Sequence, residues 1–531
     1  MKLSFYGADR CVTGSCHCLE VNGKKLLVDC GLQQGRDELD NNELPFHPAE
    51  IDYVLVTHAH IDHSGRLPLL IKDGFSGTIL TTRLTAQLLD IMLQDSAHIQ
   101  ESDAMWMNRK GKRAGKESVE PLYTIADAMK VREHVATCEY NQEVPLCEGV
   151  TAVFTDAGHL LGSACITLTL TENDVTKTIV FSGDLGNNNQ PIIRDPVPLT
   201  KADYVVIEST YGDREHGEVP SYTRGLAEVI DQTLGKGGNV IIPSFAVGRT
   251  QELLYFIREI KEEHMVKSVP DFPVYIDSPL AREATEIFAG DLTGYMDEEA
   301  IALVQGGVNM FTFPGLMMTS TSEESKALNM DMTPKVIISA SGMCDAGRIR
   351  HHLKHNLWRE ECTICFVGYQ AEGSLGRRLL EGIPTVRLFG EEISVRAKIV
   401  KFEGMSSHAD LSSLLDWINY YAPKPEHVFV VHGDADVAPV FAENLCTRGF
   451  EAHAPQYTEV YDLLENKMVS EGYTPERKKQ PDFDKGSPAY QRLLNVGLLL
   501  QQAIEHNKGG TNKDLAKFTD QVRALIEKWD R

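Results

Sequence analysis

The chain has 531 residues, 42% hydrophobic and 24% charged, with a formal net charge of −24. That length exceeds one hydrophobic core and implies two or three domains. The composition argues against a membrane protein and against a disulfide scaffold. No stretch reaches the roughly 18 apolar residues of a span, and the opening Met1-Lys2-Leu3-Ser4-Phe5 has no signal-peptide layout. The 11 cysteines lack framework spacing, so reduced thiols in a cytoplasm are expected.

In chain order, Cys18–Val21, Asn22-Gly23 and Lys24–Val28 predict a β-hairpin with a type I′ turn, and Asp29 follows its second strand. The apolar run Tyr53-Val54-Leu55-Val56 predicts a strand that delivers Thr57-His58-Ala59-His60-Ile61-Asp62-His63-Ser64-Gly65 to a loop at its end. Helical patterns then alternate with strands from about 64 to 146. Thr151–Phe154 leads to Ala157-Gly158-His159, and Thr178–Phe181 leads to Ser182-Gly183-Asp184.

From about 210 to 390 the rhythm becomes strand, glycine-rich turn, helix. Asn239–Pro243 precedes Ser244–Thr250 and a helix from Gln251 to about Glu263. Val274–Asp277 precedes Ser278-Pro279-Leu280, and Val336–Ser339 precedes Ala340-Ser341-Gly342-Met343. This alternation predicts a parallel α/β sheet. His427–Val431 then ends in His432-Gly433-Asp434. A polar linker is expected from about 470. Ser487-Pro488 starts one helix, and Leu515, Phe518, Val522, Leu525 and Trp529 mark a second, amphipathic one. The two helices are expected to pack on the body or on a second subunit, a homodimer in the latter case.

Three imidazoles and a carboxylate between His58 and His63 are donors suited to Zn²⁺ and neighbouring metals. Four donors in so short a loop are too many for one ion. Alternation lets His58 and His60 point one way and leaves Asp62 and His63 for a second ion. Asp29, His159, Asp184 and His432 each follow an apolar run and extend the donor set. Cys16-His17-Cys18 lacks a second half, and Cys362-Thr363-Ile364-Cys365 reads as buried strand, so both are taken as structural thiols.

This ordered series resembles the metallo-β-lactamase superfamily. The resemblance implies that His58, His60 and His159 hold one ion, that Asp62, His63 and His432 hold the other, and that Asp184 bridges them. Asp29 would orient ligands without binding metal. The inserted α/β segment is similar to that of the β-CASP nucleases. Their acidic motif matches Glu208 in Ile207-Glu208-Ser209-Thr210, and their middle histidine motif matches His408 in Ser406-Ser407-His408-Ala409-Asp410. Histidine at 432 is the residue of RNA-processing members. The implied architecture is α/β: an αββα sandwich in two parts, 1–208 and 393–465, a β-CASP domain over 209–392, and a helical C-terminal extension over 466–531.

The implied activity is a zinc-dependent ribonuclease, with Mn²⁺ as the alternative ion. It would be endonucleolytic, with 5′-exonucleolytic action as an added option, and leave a 5′-phosphate and a 3′-hydroxyl. Two ions roughly 3.5–4 Å apart activate water and stabilise phosphoryl charge. Asp62 and Asp184 belong to that catalytic set. His408 is the candidate proton donor and Glu208 its orienting carboxylate. Phosphate-binding candidates are Ser341, Gly342, Ser406, Ser407, Arg249 and Arg377, set against ordinary capping or structural ion pairs. Two basic segments, 109–116 and the Arg348, Arg350, Lys354, Arg359 cluster, interrupt the acidic average. A thioesterase- or lactonase-type hydrolase would explain the metal motifs but not Glu208, His408 or the insertion. A non-catalytic RNA-binding scaffold would be expected to lose metal ligands.

Overall fold

A computed structural model of the chain describes residues 1–34, 41–112, 117–216, 221–370, 373–402, 406–475 and 488–529. Residues 113–116 of the basic run, Glu372 beside the Arg377 turn, Gly404-Met405 before His408, and 476–487 of the expected linker lie outside the described residues.

Two sheets form the body. One runs, in spatial order, through Lys467–Ser470, Val460–Asp462, Lys2–Phe5, His17–Val21, Lys24–Val28, Tyr53–Leu55, Thr78–Thr82 and Val135–Cys138. The other runs through Ala452–His453, His427–Val430, Tyr204–Ile207, Val175–Phe181, Ala164–Glu172, Val150–Asp156 and Glu143–Cys147. Side chains alternate along each strand, and that alternation makes the layers. Leu3, Phe5, Leu19, Leu55 and Leu80 meet Phe154, Ile166, Ile179, Phe181 and Phe429 between the sheets. The intervening Val54, Val56 and Ile79 face helix Arg83–Lys112 through Leu84, Leu88 and Leu89. Val180, Val205, Val428 and Val430 face helices Leu411–Asn419 and Val437–Thr447. The result is the expected αββα sandwich. The hairpin turn is as read, with Asn22 at φ 49° and Gly23 at φ 72°.

The inserted sheet is parallel throughout, in the order Leu316–Met318, Val274–Ile276, Val336–Ser339, Val240–Pro243, Thr363–Phe366, Lys398–Lys401. Its last strand pairs with Thr363–Phe366, so the sheet continues past the boundary at 392 drawn from the sequence. The helix after Val240–Pro243 spans Arg249–Glu262 and so takes in Arg249, which the sequence put in the turn. Apolar contact runs unbroken from Leu88, Leu89 and Met92 of the sandwich to Ala281, Ala284 and Phe288 of the insertion. The two lobes therefore share a core.

The C-terminal helices span Pro488–His506 and Asn512–Trp529. The first touches the body, where Gln502 donates to the Ala49 carbonyl at 3.4 Å. The second leaves Leu525 and Ile526 exposed. Among the described residues no helix is long and apolar enough to cross a membrane, and all 11 cysteines are free thiols.

Candidate metal centre and proton donor

Each candidate ligand follows the carboxyl end of a strand. Lys24–Val28 and Tyr53–Leu55 run parallel, as do Val175–Phe181, Tyr204–Ile207 and His427–Val430. Their ends therefore meet at one edge of the sandwich, where the chain turns sharply. Asp29 and His432 have φ of 64° and 49°. Gly183, at φ 56°, lies where an added Cβ would come within 2.8 Å of the Thr57 Cβ, so only glycine lets Asp184 approach the histidine loop.

His58, His60, His159 and Asp184 form one group, and Asp62, His63 and His432 a second, with one ligand atom per residue and all such atoms within 4.8 Å of one another in each. In the first, the His60 Nδ1 is 3.1 Å from the His58 Nε2 and 3.2 Å from the His159 Nε2. Asp184 Oδ2 lies 3.4 Å and 3.5 Å from those Nε2 atoms. Asp184 Oδ1 faces the other group, 3.1 Å from the His63 Nε2. The His432 Nε2 is 3.5 Å from Asp62 Oδ2. One carboxylate thus divides its two oxygens between the groups.

The outward nitrogens are held in place. Asp29 accepts from the Thr57 backbone N–H at 2.8 Å and from the Thr57 hydroxyl at 2.9 Å, and it contacts the His63 Nδ1 at 2.7 Å. The His159 Nδ1–H donates to the Ser407 carbonyl at 3.1 Å. The His432 Nδ1 meets the Thr210 hydroxyl at 3.1 Å. A carboxylate and a carbonyl can only accept, so the Nδ1 atoms of His63 and His159 donate and their Nε2 atoms are left facing inward. Thr57 and Thr210 were not picked out from the sequence. Their only signal was adjacency to His58 and to Glu208. The Ser407 carbonyl had none, since its use depends on a contact 248 residues away.

Electrostatics agree with a cation site. Burial and the neighbouring His58 push the His60 pKa down to about 3. Burial and His408 hold His159 well below its usual value, and burial and His63 lower His58. These imidazoles are neutral, as metal ligation requires. Burial also opposes charge on His63 and His432, yet Asp184 raises both, aided by Asp29 at His63 and by Asp62 at His432. The His63 Nε2, Asp184 Oδ1 and His432 Nε2 are buried without a hydrogen-bond partner. The close His63–Asp184 approach is one of charge, not of hydrogen-bond geometry. Converging nitrogens and orphaned buried atoms fit a metal-binding site.

His408 sits beside this centre, its ring 4.5 Å from that of His159. Its Nδ1 lies 3.2 Å from Oε1 of Glu208, which is fully buried and also accepts from the Leu185 and Thr210 N–H groups. Burial alone would lower the His408 pKa. Glu208 and then Asp184 more than offset it and raise it to about 9. Asp184, Glu208 and His408 also form a third grouping of potential metal donors. The Glu208 contact occupies His408 Nδ1, leaving Nε2 as the other proton-carrying position. Asp410 caps helix Leu411–Asn419 through the Ser413 N–H, at 3.1 Å.

The phosphate candidates are less uniform. The Ser406 hydroxyl accepts from the His408 N–H at 3.2 Å. Ser341 and Gly342 follow strand Val336–Ser339, but the next helix begins only at Ile349, so its dipole does not reach them. Arg249 is half-buried and paired with Glu252, which departs from the phosphate contact expected of it. Arg377 is exposed and pairs with Glu381 at 2.7 Å. Three members of the expected basic cluster are paired with acids, and the fourth, Arg350, lies over the Phe389 ring at 5.1 Å. Arg348 and His352 bind the buried Asp277, Lys354 pairs with Glu391, and Arg359 with Glu361.

Comparison with known proteins follows the same division. Residues 9–243 match the metallo-beta-lactamase superfamily, 250–379 the Beta-Casp domain, and 392–455 the Zn-dependent metallo-hydrolase RNA specificity domain. Over 460 residues the chain is 36% identical to Ribonuclease TTHA0252 of Thermus thermophilus, covering 86% of this chain and 99% of that protein. It is 30% identical over 462 residues to Transcription termination factor FttA of Methanocaldococcus jannaschii, covering 84% and 69%. It is 31% identical over 439 residues to an RNase J-like protein of the same organism, covering 81% and 92%.

Proposed function

This chain belongs to the metallo-β-lactamase superfamily, in its β-CASP branch, and from that premise we propose that it is a ribonuclease hydrolysing RNA phosphodiester bonds. His58, His60 and His159 would hold one zinc ion and Asp62, His63 and His432 the other, with Asp184 between them and Mn²⁺ as the alternative metal. Bound there, the ions supply Lewis acidity and positive charge to a phosphoryl group that gathers negative charge. Asp29, Thr57, Thr210 and the Ser407 carbonyl keep the ligand rings in the required tautomers. His408 gives its Nε2 proton to the leaving 3′-oxygen, and Glu208 holds the opposite edge of the ring. The products are a 5′-phosphate and a 3′-hydroxyl. RNA lies in the cleft between sandwich and insertion, with Ser341, Gly342, Ser406, Ser407 and Arg377 toward its phosphates. Free thiols suit a reducing, cytoplasmic setting.

The observation that carries this reading is His408 on a buried carboxylate beside the metal cluster. A small-molecule hydrolase of this superfamily needs neither that pair nor the inserted sheet. Digestion of RNAs labelled at each end in turn, alongside thioester and lactone substrates, tests it. RNA cleavage with the stated termini is expected. Turnover of thioester or lactone without RNA cleavage would overturn it. So would intact RNA with no stoichiometric metal, which would favour the scaffold.

A further inference from the structure

Two ring contacts lead from the proton donor to an exposed tyrosine of the insertion. Tyr211 follows sandwich strand Tyr204–Ile207, and its ring lies 6.3 Å from that of His408. On its other side Tyr211 meets Tyr369 edge to face, with centroids 6.4 Å apart at 87°. Tyr369 lies three residues past strand Thr363–Phe366 and is 40% exposed.

The two tyrosines differ in what they can still receive. Tyr211 is buried, with the Arg214 guanidinium 4.8 Å from its ring centroid and the His216 ring 4.5 Å away. Among the described residues, Tyr211 is the one ring that Tyr369 meets. In an edge-to-face contact each ring keeps at least one face clear of the other. The Tyr369 ring is also held in place. Gln370, next in the chain, is buried, and its side-chain amide donates to the Gly342 carbonyl at 3.0 Å. Burial and then Asp434 raise the Tyr369 pKa, so the ring carries no charge at neutral pH to repel a phosphate. The charges acting on its hydroxyl come from both lobes: Asp434, two residues after His432, and Arg377 of the insertion. An anchored, neutral, exposed ring is a surface on which a nucleobase stacks.

We propose that Tyr369 is the stacking platform for the base of the nucleotide that carries the leaving 3′-oxygen, on the 5′ side of the cut. The proposal rests on the ribonuclease reading. His408 protonates that oxygen, so the sugar of this nucleotide stands at the His408 ring. In an in-line displacement the leaving oxygen departs opposite the attacking one, which directs this nucleotide away from the ligand cluster. The ring path runs the same way. Among the described residues the Tyr211 ring meets those of His216, Tyr369 and His408, and no imidazole of the ligand set. Tyr369 is the exposed ring at the end of that path.

The test uses the full-length, metal-loaded protein and a short RNA whose cut has been mapped. A single abasic residue replaces the nucleotide on the 5′ side of the cut or the one on the 3′ side. The 5′-side replacement should lower kcat/KM by about 5- to 100-fold, the range that base–aromatic stacking supplies, and by more than the 3′-side one. Tyr369→Ala should cause the same loss on intact RNA and none further on the 5′-abasic RNA. Tyr369→Phe should keep the wild-type rate. A ring that only braces the two lobes would instead cost the same factor on intact and abasic RNA. Metal content and denaturation midpoint show whether Tyr369→Ala is folded, and the abasic penalty on the wild type decides the matter even where it is not. A 2-aminopurine on the 5′ side should be quenched on binding to wild type and to Tyr369→Phe, and not to Tyr369→Ala. Multiplying losses, a penalty confined to the 3′ side, or a wild-type rate for Tyr369→Ala would each overturn the platform. If no RNA is cleaved, the ribonuclease reading fails first. Cleavage without a 5′-abasic penalty fails the platform alone.

Discussion

In the sandwich, the inward nitrogens are left over once Asp29, Ser407 and Thr210 have engaged the opposite edges of the rings. On the inserted side three arginines are already paired: Arg249 with Glu252, Arg348 with Asp277, Arg377 with Glu381. One wall keeps buried polar atoms unsatisfied and aimed at a common point. The other pairs these three charges within its own lobe. The contrast separates chemistry from grip. A cation site needs convergent, desolvated donors held against their mutual repulsion, whereas a polymer channel can draw on backbone groups, rings and exposed ion pairs that exchange partners.

The largest effect should come from breaking the shared carboxylate. Asp184→Asn is expected to abolish measurable RNA cleavage and lower the bound metal, because Oδ1 and Oδ2 face different groups. Elemental analysis and single-turnover assays check it. Full activity after chelation, with no metal added back, would remove the dinuclear centre from the account.

Next in size is the proton donor. His408→Ala should keep its metal and lose roughly 10²–10⁴-fold in rate, the scale of general acid catalysis. A substrate with sulfur at the scissile 3′ position should recover part of that loss. Loss of metal from this variant would instead make His408 a ligand. The pH profile sharpens the point. A donor whose pKa is raised to about 9 is protonated at neutral pH and is lost as pH rises through that value. Bound cations oppose its charge, so the alkaline limb of kcat/KM should fall at or below pH 9. Glu208→Gln should shift that limb to lower pH, because it removes the first charge that raises His408. An unmoved limb would assign it to another group.

A smaller effect is expected one contact further out. Asp29→Asn should weaken metal affinity by roughly 10–100-fold, the usual consequence of losing the partner of a ligating histidine. Competition with a chelator measures it. Unchanged affinity would leave Asp29 as a fold element of its strand end.

The smallest effect on turnover should come from the inserted wall, where two arginines behave differently. Arg249→Ala leaves Glu252 buried without its partner and should cost roughly 3–5 kcal/mol of stability, read from the denaturation midpoint. Arg377→Ala breaks an exposed pair worth about 0–1 kcal/mol. It should instead weaken RNA binding several-fold and flatten its salt dependence. The reverse pattern, with Arg249 governing RNA and Arg377 governing stability, would exchange their roles.

The sequence by itself determined the histidines and aspartates at the strand ends, the hairpin, the parallel insertion and the C-terminal helices, because each depends on neighbours within a few residues. Period-2 burial, an Asn-Gly turn and H-x-H-x-D-H are local patterns, and local sterics and donor chemistry fix what they become. Only the tertiary structure decided that Arg348 was taken up, since it read as basic until Asp277, 71 residues away, was beside it. It also decided that the sheet takes in Lys398–Lys401, through pairing with a strand more than 30 residues away. The Ser407 carbonyl on His159, the Thr210 hydroxyl on His432 and the meeting of Tyr457 with Tyr473 are likewise products of folding. Hydrogen bonds and ring contacts join atoms without regard to chain distance, and a backbone carbonyl carries no residue identity by which sequence can announce it.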